Sequence, residues 1–359
     1  MTNESKTIKY CCIGAGGIAS KKHLPGYAAE PRCNVAAICD SNLAAARKLA
    51  SAYSVERTYS DPIEMLEREK PDIVSVCTPN FTHMELAVAA LERGCNVHVE
   101  KPVALNYKQA QRICDEAEKR GLQVMLGLNK RYVGQTFLLQ RLVNEGFFGD
   151  IYKASCGWER SSGIPGTGRW FTDKALSGGG ALIDLGVHYL DLALSLMGYP
   201  KAKSVMGHTY SVFGAGSERI RRGYKSNPDG VYNVEDMANG TVNLENGATL
   251  NFVFSWASNI EREVRYVELV GTKGGMRMEN DSIRLFTQLG GTMFTLTPDE
   301  ATMPEGVNEC SHFVSSLLAG QPVLTPATQG AELMRIIDGL YLSAETGDRV
   351  LISDMEDLQ

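Results

Sequence analysis

The sequence predicts an α/β chain of two domains: a doubly wound parallel sheet, then an α+β domain with a large, mostly antiparallel open sheet. Three observations carry that prediction. Short apolar runs alternate with amphipathic ones through the first third of the chain, the pattern of strand–helix–strand units with both sheet faces covered. After about residue 128 the rhythm changes to strand after strand, joined by turn signals. At 359 residues the chain also exceeds the usual size of one hydrophobic core. The expected division is 1–128 and 129–359.

The elements follow in order. Ile8–Ile13, Val35–Cys39, Ile73–Val76, Val97–Val99 and Gln123–Leu126 read as buried strands, and residues 17–29, 42–52, 61–69, 82–93 and 106–120 have helical periodicity. Asp61-Pro62 and Asn106 are helix starts, and Gly94 and Gly121 helix stops. Beyond residue 128 come a helix at 135–145, a strand at Ile151–Trp158 and a Gly/Pro-rich loop from Ser161 to Gly168. An apolar helix follows from Ala181 to Met197, then strands at 203–213, 231–245, 248–257, 263–271 and 282–286. Glu245-Asn246-Gly247 and Lys273-Gly274-Gly275 read as turns, and helices at 307–318 and 327–345 close the chain. The polar, Gly-rich residues 214–230 are expected to form a mobile loop.

Composition narrows the function classes. A net charge of −6 and a pI near 5.6 offer no basic footprint for nucleic acid or anionic membrane. The uncharged apolar runs are too short to span a bilayer, and Met1–Lys6 lacks the apolar core of a signal peptide. Several of the nine cysteines sit in apolar strands, as free thiols do in a reducing compartment. These features predict a cytoplasmic protein. With no C-x-x-C pair, dispersed histidines and no third ligand beside Asp184 and His188, no metal site is expected.

Gly14-Ala15-Gly16-Gly17-Ile18-Ala19 follows the first strand and opens a helix. Gly14 permits the tight turn, Gly16 lets the backbone approach a pyrophosphate, and Ala19 is small enough for close helix–strand packing. Asp40 ends the second strand at the distance expected of a ribose ligand, and no Lys or Arg follows it until Arg47, so NAD is favoured over NADP. Thr78-Pro79-Asn80 ends a third strand, where Asn80 reaches towards the ribose or nicotinamide or else caps a helix. His83 behind it reads as a packing residue as much as a ligand. Glu100-Lys101-Pro102 ends the next strand; Lys101 there is either a cation for a substrate oxygen or a surface lysine beside a turn.

Within the apolar 181–197 helix, Asp184, His188, Asp191 and Ser195 share one face, after Gly178-Gly179-Gly180. A carboxylate and an imidazole one turn apart, preceded by glycines that admit a ligand, suit acid–base chemistry; a narrow solvent-facing stripe would read the same way.

These motifs occur in the order and spacing of one family. The sequence resembles the glucose–fructose oxidoreductase, inositol dehydrogenase and MocA (Gfo/Idh/MocA) family of NAD(P)-dependent oxidoreductases over nearly its whole length. The resemblance implies a Rossmann domain, then an α+β domain whose open sheet makes the contacts of a homo-oligomer, dimer or tetramer. It makes Lys101, Asp184 and His188 the catalytic set. The cofactor would be NAD, held by Gly14, Gly16, Gly17, Ile18, Ala19, Asp40, Thr78, Pro79, Asn80, His83, Glu100, Lys101 and Arg131. Asn129, Lys130, Arg131 and Tyr132 sit where the family links its domains, and Gly134 stands where relatives often have proline, which leaves the contacts of Arg131 open.

The expected chemistry is oxidation of a secondary alcohol, with His188 taking the hydroxyl proton and Lys101 stabilising the alkoxide. Asp184 orients His188 or binds a neighbouring hydroxyl, and Asp191 is an outer partner of the helix. Trp158, Arg160, Arg169 and Trp170 flank the Ser161–Gly168 loop and suit a carbohydrate or glycoside, although both tryptophans also fit a core or interface. Arg131, Arg160 and Arg169 would equally meet a carboxylate or phosphate. The loop pattern resembles family members that oxidise a sugar at the third ring carbon. An NAD-dependent glycosidase, a redox-neutral sugar transfer on tightly held NAD(H) and a non-catalytic NAD sensor are the competing readings.

Overall fold

The computed structural model describes residues 7–356 apart from Ala215 and Pro228. Met1–Lys6, read above for a leader, lies outside the described residues, as do those two positions of the 214–230 loop. The chain forms two compact units: residues up to Asn129 with Val307–Ala331, and Lys130–Gly306 with the chain from Glu332 onward.

The first unit alternates strand and helix as its periodicity predicts. β1 (Ile8–Ile13) is followed by a π-helical turn, Ala19–His23, which runs into α1 (Leu24–Ala28). Then come β2 (Cys33–Cys39), α2 (Leu43–Ala52), β3 (Arg57–Tyr59), α3 (Pro62–Glu69), β4 (Ile73–Val76) and α4 (His83–Glu92). β5 (Asn96–Val99), α5 (Tyr107–Arg120) and β6 (Val124–Leu126) complete the series. All six strands are parallel, in the order β3-β2-β1-β4-β5-β6. The chain therefore reverses its direction of travel between β1 and β4, the point at which such sheets bind nucleotides. Local chemistry sets the helix ends. Asp61 accepts from Ile63 N–H, Asn106 accepts from Gln109 N–H, and Gly121 closes α5 at φ 64°. β3 escapes the periodicity because it is three residues long, lies at the sheet edge and is nowhere buried.

The second unit opens with α6 (Gly134–Asn144), β7 (Ile151–Glu159) and α7 (Lys174–Ser177). The apolar 181–197 segment is a π-helical turn, Leu182–Gly186, continuing as α8 (Val187–Leu196). Residues 174–196 are long and apolar enough to cross a membrane by composition, but 83% of the apolar window is buried inside the protein, as in a core helix. Seven strands follow: β8 (Ala202–Tyr210), β9 (Met237–Leu244), β10 (Thr249–Ser255), β11 (Val264–Gly271), β12 (Gly274–Glu279), β13 (Ser282–Leu289) and β14 (Thr292–Leu296). The last elements are α9 (Glu309–Ala319), which belongs to the first unit, α10 (Ala327–Thr346) and β15 (Val350–Leu351). The sheet order is β14-β13-β12-β11-β7-β10-β9-β8-β15, antiparallel except where β7 meets β10. α8 packs on β7 and β11, and burial alternates along the strands, most regularly in β12, as one covered face requires.

Three expectations are corrected. Gly274 and Gly275 open β12 rather than forming a turn; a Cβ at Gly274 would stand 3.0 Å from the Phe147 ring, so glycine there reflects packing. Residues 231–236 are not strand: Glu235 and Asp236 turn inward, and Asp236 accepts from Val212 N–H and Phe213 N–H. A second domain continuous from 129 to 359 is interrupted, because Val307–Ala331 returns to the first unit. There α9 packs on α1, and Leu126 N–H donates to the Thr325 carbonyl.

Candidate functional site

In the first unit, the predicted cofactor motifs gather at the carboxyl ends of β1, β2, β4 and β5. Gly14 has φ +98°, and a Cβ on it would lie 2.5 Å from the Cys77 carbonyl at the end of β4. Only glycine permits that approach at the switch point. At Gly16 and Gly17 a Cβ would meet nothing within 4 Å, so this turn stands open and fits a dinucleotide pyrophosphate. Asp40 braces it: Oδ2 accepts from Ala15 N–H at 2.7 Å and Oδ1 from Asn42 N–H at 2.8 Å. Ile18 is exposed beside the open turn, and Ala19 is fully buried beneath it.

Thr78, Pro79 and Asn80 follow β4 and enter a 3₁₀ turn, with the Thr82 hydroxyl donating to the Thr78 hydroxyl at 2.6 Å. His83 lies behind this edge. Its ring nitrogens face the carbonyls of Pro102 (2.7 Å) and Thr78 (2.9 Å), so it ties the segments after β4 and β5 together from inside. Burial holds its pKa below the usual histidine range, against the two carbonyls that favour protonation. Lys101 is half-buried at the edge.

Glu100 turns inward. It accepts from His23 Nε2 at 2.9 Å and from Lys101 N–H at 3.2 Å, with the Lys22 ammonium 3.7 Å away. Burial works against its charge, but Lys22 and the His23 hydrogen bond hold its pKa well below the usual carboxylate range. The histidines are dispersed along the chain but not in space. His23, His98 and Glu309 bring their ligand atoms within 4.8 Å of one another, all buried. The Lys22 ammonium is 2.6 Å from Glu309 Oε1 and supplies a cation to this cluster.

In the second unit, the segment carrying Asp184 and His188 is anchored by Glu235, a residue that no sequence signal singles out. Its carboxylate accepts from Gly180 N–H, Leu182 N–H and the Tyr341 hydroxyl, each at 2.9 Å. The glycines before the helix make room for this anchor. A Cβ at Gly179 would lie 2.0 Å from the Tyr341 hydroxyl, and one at Gly180 would lie 1.8 Å from the Glu235 carbonyl. Asp184 Oδ2 accepts from the indole N–H of Trp256 at 3.0 Å, and Trp256 is fully buried. Asp191 is the outer partner expected of it: buried, it forms a two-pronged pair with Arg131, Oδ2 accepting from Nε at 2.7 Å and Oδ1 from Nη2. Arg131, expected near the cofactor, is thus committed to α8, with its guanidinium 5.2 Å from the Tyr199 ring centre.

Trp158, at the end of β7, stands beside the helix, its ring centre 6.2 Å from that of His188 and 5.7 Å from that of Tyr189. It walls a cavity of about 590 Å³ shared with Arg160, Ser162, Gly163, Arg221, Glu263, Arg265 and Asn280. Trp158 Nε1–H donates to Glu263 at 2.8 Å, and the Arg160 guanidinium lies 4.2 Å from the indole centre. Arg169 is exposed and Trp170 stacks on Phe171 at 3.7 Å; neither lines this cavity. Arg221, Glu263, Arg265 and Asn280 come from a loop and strand ends far away in sequence, where spacing carries no signal.

Comparison with known proteins agrees with the two units. Residues 8–128 match the oxidoreductase family model with an NAD-binding Rossmann fold, and residues 138–277 match the GFO/IDH/MocA C-terminal domain. A D-glucoside 3-dehydrogenase of Escherichia coli is 35% identical over 348 residues, 96% of this chain and 98% of the relative. Among solved structures, an oxidoreductase domain protein from Kribbella flavida has a TM-score of 0.86 at 22% identity, covering 97% of this chain and 99% of its own. A levoglucosan dehydrogenase in complex with NADH and levoglucosan has a TM-score of 0.84 at 20% identity, covering 97% of this chain and 100% of its own.

Proposed function

The chain belongs to the Gfo/Idh/MocA oxidoreductase family with an NAD-binding Rossmann domain, and from that premise we propose that it oxidises a secondary hydroxyl of a sugar, glycoside or polyol to the ketone. The third ring carbon is the proposed position, in line with the name of its 35% identical relative. The observation that carries the substrate class is the second-unit cavity, where the Trp158 indole stands beside His188 and is flanked by Arg160 and Glu263. An aromatic wall with polar groups at its rim suits the C–H faces and hydroxyls of a sugar ring.

Bound NAD⁺ supplies the hydride acceptor. The open turn at Gly16–Gly17, Asp40 and the Thr78–Asn80 loop would hold the dinucleotide, with Glu100 and His83 positioning that edge from behind. His188 takes the hydroxyl proton as hydride leaves the same carbon, and Asp184, fixed by Trp256, binds a neighbouring hydroxyl. Lys101 stabilises the developing alkoxide. The same reading makes the protein cytoplasmic and homo-oligomeric, with the exposed apolar side chains of β13 and β14, among them Leu289, Met293 and Phe294, available to a second copy.

Incubation with NAD⁺ and a panel of sugars, inositols and glycosides tests this reading. NADH and a product lighter by two hydrogens are expected for the wild type, and His188→Ala is expected to lose about 100- to 10,000-fold in turnover. Wild-type turnover by His188→Ala, or free aglycone without NADH, would sink the scheme.

A further inference from the structure

Three guanidinium groups converge on the second-unit cavity, against one carboxylate in its lining. Arg160, Arg221 and Arg265 line it, with Glu263. The trio differs from the one the sequence suggested, since Arg131 is paired with Asp191 and Arg169 is exposed. Arg160 is 5% exposed, yet among the described residues its guanidinium makes no hydrogen bond; its nearest carboxylate oxygen is Glu263 Oε1, 3.7 Å from Nε. Arg221 is exposed, its guanidinium 5.5 Å from the Tyr224 ring centre. Arg265 reaches Asp281 only at 3.9 Å and lies 5.8 Å from the Trp158 ring centre.

The arrangement is built by the fold. A Cβ at Gly163 would strike Arg160 Cδ at 2.7 Å, so glycine there leaves room for the arginine to lie over Trp158. The 214–230 loop is held against Ile164 by two backbone bonds: Ile164 N–H to the Arg219 carbonyl, and Arg221 N–H to the Ile164 carbonyl. That pairing brings Arg221 to Arg160. Burial and the neighbouring Arg221 charge disfavour the Arg160 cation, and Asp184 and Glu263 favour it.

The Arg160 guanidinium lines the cavity with donors that its loose 3.7 Å pairing to Glu263 leaves unused, and the Arg221 charge beside it disfavours its cation. Sugar hydroxyls would satisfy its N–H groups without balancing the charge. A carboxylate or phosphate would do both, and its oxygens match the fork of an arginine. We infer that this cavity is a recognition subsite for an anionic substituent of the substrate, a carboxylate or a phosphate on the sugar or its aglycone. The inference rests on the sugar-dehydrogenase reading above and narrows it to acidic sugars and glycosides.

The test compares methyl glucoside, methyl glucuronide and glucose 6-phosphate in the NADH assay with the full-length protein, for wild type, Arg160→Met, Arg160→Lys and Arg221→Met. A wild-type kcat/KM about 10- to 100-fold higher for one of the anionic sugars is expected, carried mainly by KM. The two methionine variants should remove that advantage, losing about 10- to 100-fold on the anionic sugar and far less on the neutral one, while Arg160→Lys keeps part of it. Arg221 is exposed, so its variant guards against a folding defect at Arg160. Equal use of neutral and anionic sugars, or equal losses for both in the variants, would overturn the inference. If none of the sugars yields NADH, the dehydrogenase reading fails on these substrates, and quenching of tryptophan fluorescence by glucuronate, glucose 6-phosphate or glucose decides the subsite alone. Tighter binding of an anion, lost in Arg221→Met, supports it; equal binding of all three overturns it.

Discussion

Glu235→Gln isolates the anchor that sets the Asp184–His188 segment. The carboxylate accepts three hydrogen bonds at 2.9 Å, two from the backbone N–H groups of Gly180 and Leu182 and one from the Tyr341 hydroxyl. Glutamine has one acceptor oxygen, so in either orientation its NH₂ faces a donor. If Oε1 remains oxygen, the buried Gly180 N–H loses its acceptor; in the other orientation Leu182 N–H and Tyr341 lose theirs. A hydrogen bond to a charged group is worth about 1.5–3 kcal/mol, and an orphaned buried donor costs about 1–3 kcal/mol. We expect a loss of about 2–4 kcal/mol, which for a unit of this size lowers Tm by about 2–4 °C per kcal/mol. Because Leu182 begins the turn that carries Asp184, kcat should fall roughly 10- to 100-fold at temperatures where the variant is fully folded. Calorimetry and the NADH assay read the two effects separately. Burial holds Glu235 above the usual carboxylate range, against its three hydrogen bonds. Because the raised folded-state pKa makes the folded protein take up this proton first, the wild type gains stability as pH falls through it, and its gap to the non-titrating variant should widen until the pH reaches the carboxyl's ordinary value. A variant with wild-type Tm and kcat would refute the anchoring argument.

Two further outcomes are expected. Wild type should use NAD in preference to NADP, and Asp40→Ala should erode that preference by about 10- to 100-fold in kcat/KM, because the carboxylate lost is the one that would hold ribose hydroxyls and repel a 2′-phosphate; a wild type that favours NADP would contradict it. Burial, with His23 and Lys22, holds the His98 pKa well below its ordinary value of 6.5, so the stability linked to this neutral ring is present above pH 6.5 and lost as pH falls below it. The unfolding free energy of the first unit, read from urea titrations, should drop between pH 7.5 and pH 5, by up to about 1.4 kcal/mol per pH unit for this group, and His98→Gln should reduce the drop; an unchanged slope in the variant would count against the assignment.

The strand–helix alternation, the glycine turn, Asp40 and the helix caps at Asp61 and Asn106 are local matters, and the sequence by itself determined them. Periodicity, a positive φ at Gly14 and a side chain two or three residues from the N–H it caps all act within a few residues. The same holds for Asp184 and His188, four residues apart on one helical segment. Only the tertiary structure decided what surrounds them. Gly179 and Gly180 are small because Tyr341 and Glu235 press against them. Arg131 is committed to Asp191, sixty positions away, and Arg221 meets Arg160 because one loop bonds to another at Ile164. Charge pairing and steric exclusion between distant segments leave no period or spacing in the chain, since they depend on where the backbone returns in space.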